Sequence, residues 1–168
     1  DAGNLYICGD LGQGSYDFDP GPGQYTLSVA SGTGAFVARY RPDGGLAFAD
    51  LRTWPTHSSY CRGIDVARDG SLFYVVQKLS NGSGLTGQVD VDPGPGVYNM
   101  YNDAISLLCY DSTFAFVAAG DAFYGEQRMD AAADGTLHML ASAYSGGGLW
   151  ANKYVRQGTI LEQQYSTS

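Results

Sequence analysis

The chain has 168 residues, of which 44% are hydrophobic and 15% are charged, and this globular composition excludes a disordered chain. Its formal net charge of −8 excludes a nucleic-acid-binding protein, because contacts to a phosphate backbone need clustered lysines and arginines. No apolar run approaches the roughly 18 residues that a membrane-spanning helix needs, so the sequence predicts no such helix.

Composition also predicts the fold class. Glycine and tyrosine are abundant, with 24 and 13 residues, and 15 of the 17 acidic residues are aspartates. Aspartate favours turns whereas glutamate favours helices, so this balance indicates an all-β protein. Aromatic and β-branched stretches bounded by turn residues then predict short strands, in repeat units of four that we label A to D.

We expect a single domain, 1–168, of three such units, at approximately 1–60, 61–128 and 129–168. The first unit begins directly at strand B near Leu5 and continues with strands C and D at 35–41 and 45–51. The second unit has strands A to D at 63–67, 72–77, 113–119 and 122–129. The third unit has them at 129–132, 137–143, 149–155 and 159–165. The prediction is three four-stranded antiparallel, propeller-like blades, the first of which lacks its first strand.

Internal repetition supports these units. The segment Asp-Phe-Asp-Pro-Gly-Pro-Gly at 17–23 returns as Asp-Val-Asp-Pro-Gly-Pro-Gly at 90–96. Ala-Phe-Val-Ala occurs at 35–38 and again at 115–118, and we take the two copies as equivalent parts of strand C. Asp-Gly pairs at 43–44, 69–70 and 134–135 are expected to supply the positive φ of tight hairpin turns.

The order of these segments resembles a known family. Gly-Ile-Asp-Val-Ala-x-Asp-Gly-Ser-Leu-Phe-Tyr-Val at 63–75, the Asp-Pro-Gly-Pro-Gly segments and Phe-Val-Ala-x-Tyr-x-x-Asp-Gly at 36–44 are similar to the SBBP-type β-propeller repeat. That family occurs in secreted and cell-surface bacterial proteins, so the resemblance implies a propeller-like arrangement and an extracytoplasmic location. It implies no reaction, because propeller folds host many functions.

Three blades that lack one strand are too few to close a propeller, which typically needs about four or more. An incomplete first blade exposes a strand edge, and such an edge invites strand addition from another chain. We therefore expect a homo-oligomer, a head-to-tail polymer, or further blades of a longer parent chain as partners.

Four aspartates are candidate metal ligands: Asp17, Asp19, Asp90 and Asp92. Carboxylates two residues apart on an extended segment point to the same face, and Ca²⁺ prefers such oxygen ligands. The cofactor prediction is therefore Ca²⁺. The alternative is that each carboxylate hydrogen-bonds the backbone of its own turn.

Five tyrosines that we place in loops are candidate contacts for a glycan, because an aromatic face packs on a pyranose ring: Tyr16, Tyr25, Tyr60, Tyr98 and Tyr101. The two histidines, His57 and His138, are better explained by packing or exposure, since no Gly-x-Ser-x-Gly nucleophile elbow accompanies them. No pair of carboxylates stands out for glycoside hydrolysis. The sequence thus predicts no enzyme.

Three cysteines leave two alternatives open. One is a single disulfide, between Cys61 and Cys109, with one buried thiol, and the other is three buried thiols. Because Asp1 is not an initiator methionine, we expect a chain from which a targeting segment has been removed, in keeping with a secreted or cell-surface location.

Together these observations predict a non-enzymatic extracellular repeat module for self-assembly or for cell-surface or matrix interaction, stabilised by calcium. Two further hypotheses are a carbohydrate-binding module and a fragment of a larger propeller enzyme.

Overall fold

The structure is a computed structural model that describes residues 3–54, 57–80, 88–101, 105–122, 127–142 and 149–167. Every regular element among these residues is a β-strand, which confirms the all-β prediction. The described residues contain no helix that is long and apolar enough to span a membrane.

The strands are, in chain order, β1 (Leu5–Leu11), β2 (Gly14–Asp17), β3 (Thr26–Val29), β4 (Gly34–Tyr40), β5 (Leu46–Arg52), β6 (His57–Val66), β7 (Leu72–Ser80), β8 (Gln88–Asp90), β9 (Asn99–Tyr101), β10 (Ile105–Tyr110), β11 (Phe116–Ala122), β12 (Gln127–Ala131), β13 (Leu137–Ser142), β14 (Leu149–Gln157) and β15 (Ile160–Thr167).

Hydrogen bonding joins most of the strands into two sheets. A three-stranded sheet has the order β1-β4-β5, and an eight-stranded sheet has the order β12-β13-β14-β15-β11-β10-β7-β6. Two inserted hairpins, β2–β3 and β8–β9, form small sheets of their own. Neighbouring strands are antiparallel except β11 and β15, which are parallel, with Ala119 opposite Ile160.

The eight-stranded sheet curls until it is nearly closed, like a barrel. At the seam between its two edge strands, a carboxylate oxygen of Asp65 in β6 accepts a hydrogen bond from the backbone N–H of Ala131 in β12, at 2.6 Å. Where β11 meets β15, a Cβ on Gly120 would overlap the backbone carbonyl of Leu161. Glycine at this position therefore permits the close approach of the two strands.

Three groups of strands share one pairing pattern, and we call them the first unit (β1, β4 and β5), the second unit (β6, β7, β10 and β11) and the third unit (β12 to β15). In each unit a leucine lies opposite a tyrosine on the next strand: Leu5 and Tyr40, Leu72 and Tyr110, Leu137 and Tyr154. Beside each of these tyrosines, the ladder between the tyrosine's strand and the following strand of the unit shifts register. The units are therefore equivalent in register, strand by strand.

This register corrects two predicted strands of the second unit. The third strand of that unit is β10, at 105–110, and the fourth is β11, at 116–122, rather than strands at 113–119 and 122–129. The two Ala-Phe-Val-Ala copies are not equivalent, because Ala35 lies in β4 whereas Phe116 begins β11. In the first and third units the predicted strands agree with the observed ones to within a few residues.

The predicted arrangement of three separate propeller blades is not confirmed. The second and third units share one continuous sheet through the parallel pairing of β11 with β15, so they do not form two independent sheets. What the structure shows is an all-β fold with a barrel-like sheet and a three-stranded sheet packed against it.

Three apolar cores hold these layers together. The core between the first and second units contains buried side chains from both: Ala35, Val37, Tyr74, Leu108 and Tyr110. The core between the second and third units does the same: Phe73, Leu107, Leu137, Met139 and Tyr154. A smaller core lies under the hairpin β2–β3: Phe18, Ala38 and Ala49. Each large side chain removed from water in this way contributes about 1.5–3 kcal/mol.

The predicted hairpin turns are confirmed. Gly44, Gly70 and Gly135, the second residues of the three Asp-Gly pairs, have φ values of 84°, 86° and 80°. Only glycine adopts this left-handed region without strain, so these turns explain the residue at each position.

Candidate functional site

The repeated aspartate segments lie in the turns of the two inserted hairpins. One carboxylate oxygen of Asp17 accepts hydrogen bonds from the backbone N–H groups of Asp19 and Tyr25, both at 3.0 Å. Asp90 accepts the corresponding bonds from Asp92, at 3.0 Å, and Tyr98, at 2.9 Å. The two turns therefore repeat the same hydrogen-bond network as well as the same sequence.

The second aspartate of each segment closes the turn further. Asp19 accepts a hydrogen bond from the N–H of Gly21 at 2.8 Å, and Asp92 accepts one from Gly94 at 2.7 Å. A Cβ on Gly23 would overlap the other oxygen of the Asp19 carboxylate. Glycine at this position therefore leaves room for the carboxylate to reach the turn.

The electrostatic consequence is visible at Asp17. Backbone hydrogen bonds from Tyr25 and Asp19 hold the pKa of its carboxyl below the ordinary value of 3.8. These turns thus use the negative charge of an aspartate to satisfy backbone N–H groups that no strand partner reaches.

The calcium hypothesis gains no direct support from this geometry. One oxygen of each carboxylate is engaged by the backbone, and no group of three or more histidine, cysteine or acidic side chains suited to a metal ion occurs among the described residues. Calcium binding at Asp17, Asp19, Asp90 and Asp92 therefore stays a prediction.

The five candidate tyrosines occupy different environments. Three lie in strands rather than in loops, which corrects the prediction: Tyr16 in β2, Tyr60 in β6 and Tyr101 in β9. The Tyr16 hydroxyl donates to the carbonyl of Gly12 at 3.3 Å, so it is part of its own hairpin. Tyr25 and Tyr98 lie at the ends of the two aspartate turns, as expected of loop residues.

Tyr25 and Tyr98 each border a groove at the junction of two units. The first seam groove, of about 410 Å³, is lined mainly by aromatic and acidic side chains and by the second aspartate turn: Tyr25, Phe48, Asp50, Asp92, Pro93 and Phe116. The second seam groove, of about 450 Å³, is lined by the second hairpin, β11 and β15: Tyr98, Met100, Gly120, Asp121, Leu161 and Glu162.

The two seam grooves correspond through the repeat. Tyr98 follows the second aspartate turn as Tyr25 follows the first, and Ala119 occupies in β11 the position of Ala49 in β5. The Tyr25 hydroxyl donates to the carbonyl of Ala49 at 2.9 Å, which fixes the ring at the edge of its groove. Tyr25 remains 43% exposed.

Buried polar groups line the interface beneath the first seam groove. Asp50 forms an ion pair with Arg52, which is buried. The hydroxyl groups of Tyr74 and Tyr110 are buried and have no hydrogen-bond partner within the described part of the chain, and burial raises the pKa of both phenols. Both tyrosines therefore stay neutral over the physiological pH range.

The cysteines differ from the predicted pairing. Cys8 in β1 forms a disulfide with Cys61 in β6, with 6.3 Å between the Cα atoms, and Cys109 is a buried free thiol. The prediction of one disulfide and one buried thiol holds, but the predicted pair Cys61–Cys109 is wrong. Cys109 points into the core between the second and third units, whereas Cys61 packs on the core between the first and second.

Sequence reasoning missed the aromatic wall of the first seam groove. Phe48 and Phe114 stack with their ring centroids 3.6 Å apart, and the Arg39 guanidinium lies 4.7 Å above the Phe114 ring. The alternation Phe48-x-Asp50-x-Arg52 does place these three side chains on one face of β5. Nothing in the local pattern says that this face meets the second unit.

In comparisons with known proteins, no family model, no curated protein and no solved structure matches this chain. The resemblance to the SBBP-type repeat therefore stays a prediction.

Proposed function

We propose that this chain is a non-enzymatic extracellular repeat module that joins further β-repeat units, whether of another copy or of a longer parent chain, in a propeller-like arrangement. The observation that carries this proposal is the open side of the first unit. β7 and β13 each have a neighbour on both sides, whereas β1 is paired with β4 alone among the described residues.

The register identifies the backbone groups at this open edge. In the second unit the N–H of Ala67 donates to the carbonyl of Ser71 at 2.8 Å, so the backbone of Phe73 faces β6 by strict alternation along the ladder. Tyr6 occupies in β1 the position of Phe73 in β7. The backbone of Tyr6, and by the same alternation that of Cys8, therefore faces the side on which a fourth strand is missing.

The disulfide supports an extracytoplasmic setting. Cys8–Cys61 links the first unit to the second, and disulfides persist in oxidising compartments. The resemblance to secreted and cell-surface repeat proteins agrees with the same setting.

Strand addition at β1 can be tested with a peptide of residues 127–133, which contains β12, the strand that fills the corresponding place beside β13. We expect the labelled peptide to bind the whole protein in fluorescence anisotropy and to lose binding in Tyr6→Pro, which removes one outward N–H. The control Asp121→Asn alters an exposed side chain of β11, in the second unit, and should bind normally. A protein that is strictly monomeric in sedimentation and binds no peptide would overturn the proposal.

A second candidate function is carbohydrate binding at the first seam groove. An exposed Tyr25 ring beside the carboxylates of Asp50 and Asp92 combines a stacking surface with hydrogen-bond acceptors. A glycan array followed by calorimetry should reveal a ligand whose affinity falls in Tyr25→Ala and persists in Tyr16→Ala. Absence of any array signal would rule out this candidate.

The calcium component of the proposal has its own test. Calorimetric titration of the metal-stripped protein should give binding heat that is lost when Asp19 and Asp92 are changed to asparagine together. A titration that shows no heat at millimolar calcium removes calcium from the proposal and leaves the assembly role standing.

A further inference from the structure

The repeat units stack in one direction. We call the side of each unit that bears its register leucine (Leu5, Leu72 or Leu137) the front face and the opposite side the back face. The back face of the first unit, with Val37 and Phe48, packs on the front face of the second, with Leu72 and Tyr74. The back face of the second unit, with Phe73, packs in turn on the front face of the third.

Among the residues that the structure describes, no unit is stacked on the front face of the first unit. The hairpin β2–β3 covers part of this face, through Phe18. Leu5 nevertheless remains 59% exposed, whereas the equivalent Leu72 and Leu137 are fully buried. Ile7 is half-buried, although its counterpart Tyr74 is completely buried. Leu72 and Leu137 are covered by the preceding unit in the chain, and Leu5 shows the exposure that this position has without such a cover.

The back face of the third unit has a different chemistry. His138 and Leu140 stand at the positions that Phe73 and Val75 occupy in the second unit, and Lys153 stands at the position of Cys109. His138 is exposed and Leu140 is 44% exposed.

Arg128 of β12 adds to this polarity. It pairs with Leu140 and is exposed, whereas the corresponding residue of the second unit is Gly63. A unit stacked on this face would have to remove the charges of Arg128 and Lys153 from water, which costs free energy unless each charge is paired.

We propose that the chain is one end of a polar stack: the front face of the first unit binds the apolar back face of another repeat unit, and the back face of the third unit is a cap that binds none. This inference rests on the proposed joining function and names its partner, a repeat unit whose back face resembles that of the second unit. Because a copy of this chain offers only the polar back face, copies do not add head to tail. Repeat arrays in general end in units with a polar outer face.

Replacing the cap tests this directly in the full chain. The double variant His138→Phe, Lys153→Leu gives the third unit an apolar back face, and we expect it to sediment as assemblies of two or more chains at concentrations where the original protein does not. Adding Leu5→Lys to the double variant should return it to the monomer, because the front face is then charged. A double variant that stays monomeric, or whose assemblies survive Leu5→Lys, would overturn the inference.

Two further readouts keep this test separate from that of the joining function. If the unchanged protein itself forms assemblies that Leu5→Lys dissolves, the cap is disproved while the joining function stands. If the double variant does not fold, as judged by circular dichroism, a fusion protein replaces it. In this fusion, residues 57–134 are placed directly before Gly3, where they supply a complete preceding unit and a fourth strand beside β1. This fusion should slow thiol labelling of a Leu5→Cys variant at least about tenfold, and unchanged labelling would overturn the inference.

Discussion

Several aspartate side chains of this protein stabilise turns by accepting hydrogen bonds within them. The N–H of Tyr25 is the largest influence that lowers the pKa of Asp17, and the hydroxyl of Thr136 has the same effect on Asp134. The hydrogen bonds to each aspartate are therefore stronger when its carboxyl group is ionised than when it is protonated.

This preference gives a stability contribution with a definite sign. The pKa of Asp17 is lower in the folded protein than in the unfolded chain, so its contribution to the stability of the fold is complete above pH 3.8. This contribution is lost as the pH falls through the pKa of the folded state. We expect exchange of the Tyr25 amide, compared with its intrinsic rate, to accelerate as the pH falls below 3.8, and Asp17→Asn to remove this dependence. Asp121→Asn, in the second unit, is the control. A Tyr25 amide that is equally protected throughout would contradict the prediction.

Cys109 illustrates how burial determines reactivity. Burial raises the pKa of its thiol to about 11, so the reactive thiolate is scarce at neutral pH. We expect maleimide to label the folded protein at least roughly a hundredfold more slowly than a free thiol. After unfolding without reductant, mass spectrometry should find one modified cysteine, and after reduction three. Rapid labelling of the folded chain would show that Cys109 is accessible.

Among the strands, the seam between β6 and β12 is held differently from every ladder in the sheet. Here the backbone N–H of Ala131 donates a hydrogen bond to the Asp65 carboxylate, whereas backbone pairing joins the neighbouring strands elsewhere in the sheet. Asp65 also accepts a hydrogen bond from the N–H of Val66, at 2.9 Å, so both carboxylate oxygens are engaged. Among the described residues, the Asp65 side chain therefore provides a hydrogen bond between the two edge strands of the barrel-like sheet.

Removing this side chain should open the seam first. We expect Asp65→Ala to lower the free energy of unfolding by about 1–3 kcal/mol, because the Ala131 amide loses its partner. Hydrogen exchange at Ala131 should accelerate in Asp65→Ala and less in Asp65→Asn, whose amide oxygen still accepts. Asp130→Ala, an exposed change in β12, serves as the matched control. Unchanged exchange at Ala131 would mean that β12 needs no such tether.

For the molecule as a whole, the disulfide links the two sheets. Cys8 and Cys61 are 53 residues apart, and their bond restricts the unfolded chain between the first and second units. We expect the double variant Cys8→Ala, Cys61→Ala to lose about 2–4 kcal/mol in urea unfolding. Reductant should destabilise the original protein and leave the double variant unaffected. If reductant does not shift the unfolding midpoint of the original protein, this link is not stabilising.

The sequence by itself determined the all-β class, the hairpin turns and the duplicated aspartate segments. These features depend on residues close together along the chain: Gly70 needs only its own φ, and Asp17 bonds the backbone of its own turn. Local conformational preference is sufficient for such predictions.

The tertiary structure alone decided which cysteine pairs with Cys61, which strand stands third in the second unit, and which face of each unit meets its neighbour. The identical sequences at 35–38 and 115–118 led to a wrong prediction of the third strand in the second unit. Ladder register, and not local sequence, makes Tyr40 equivalent to Tyr110. An alternating strand predicts two faces but not their partners. Packing between units, through contacts distant in sequence, makes that choice.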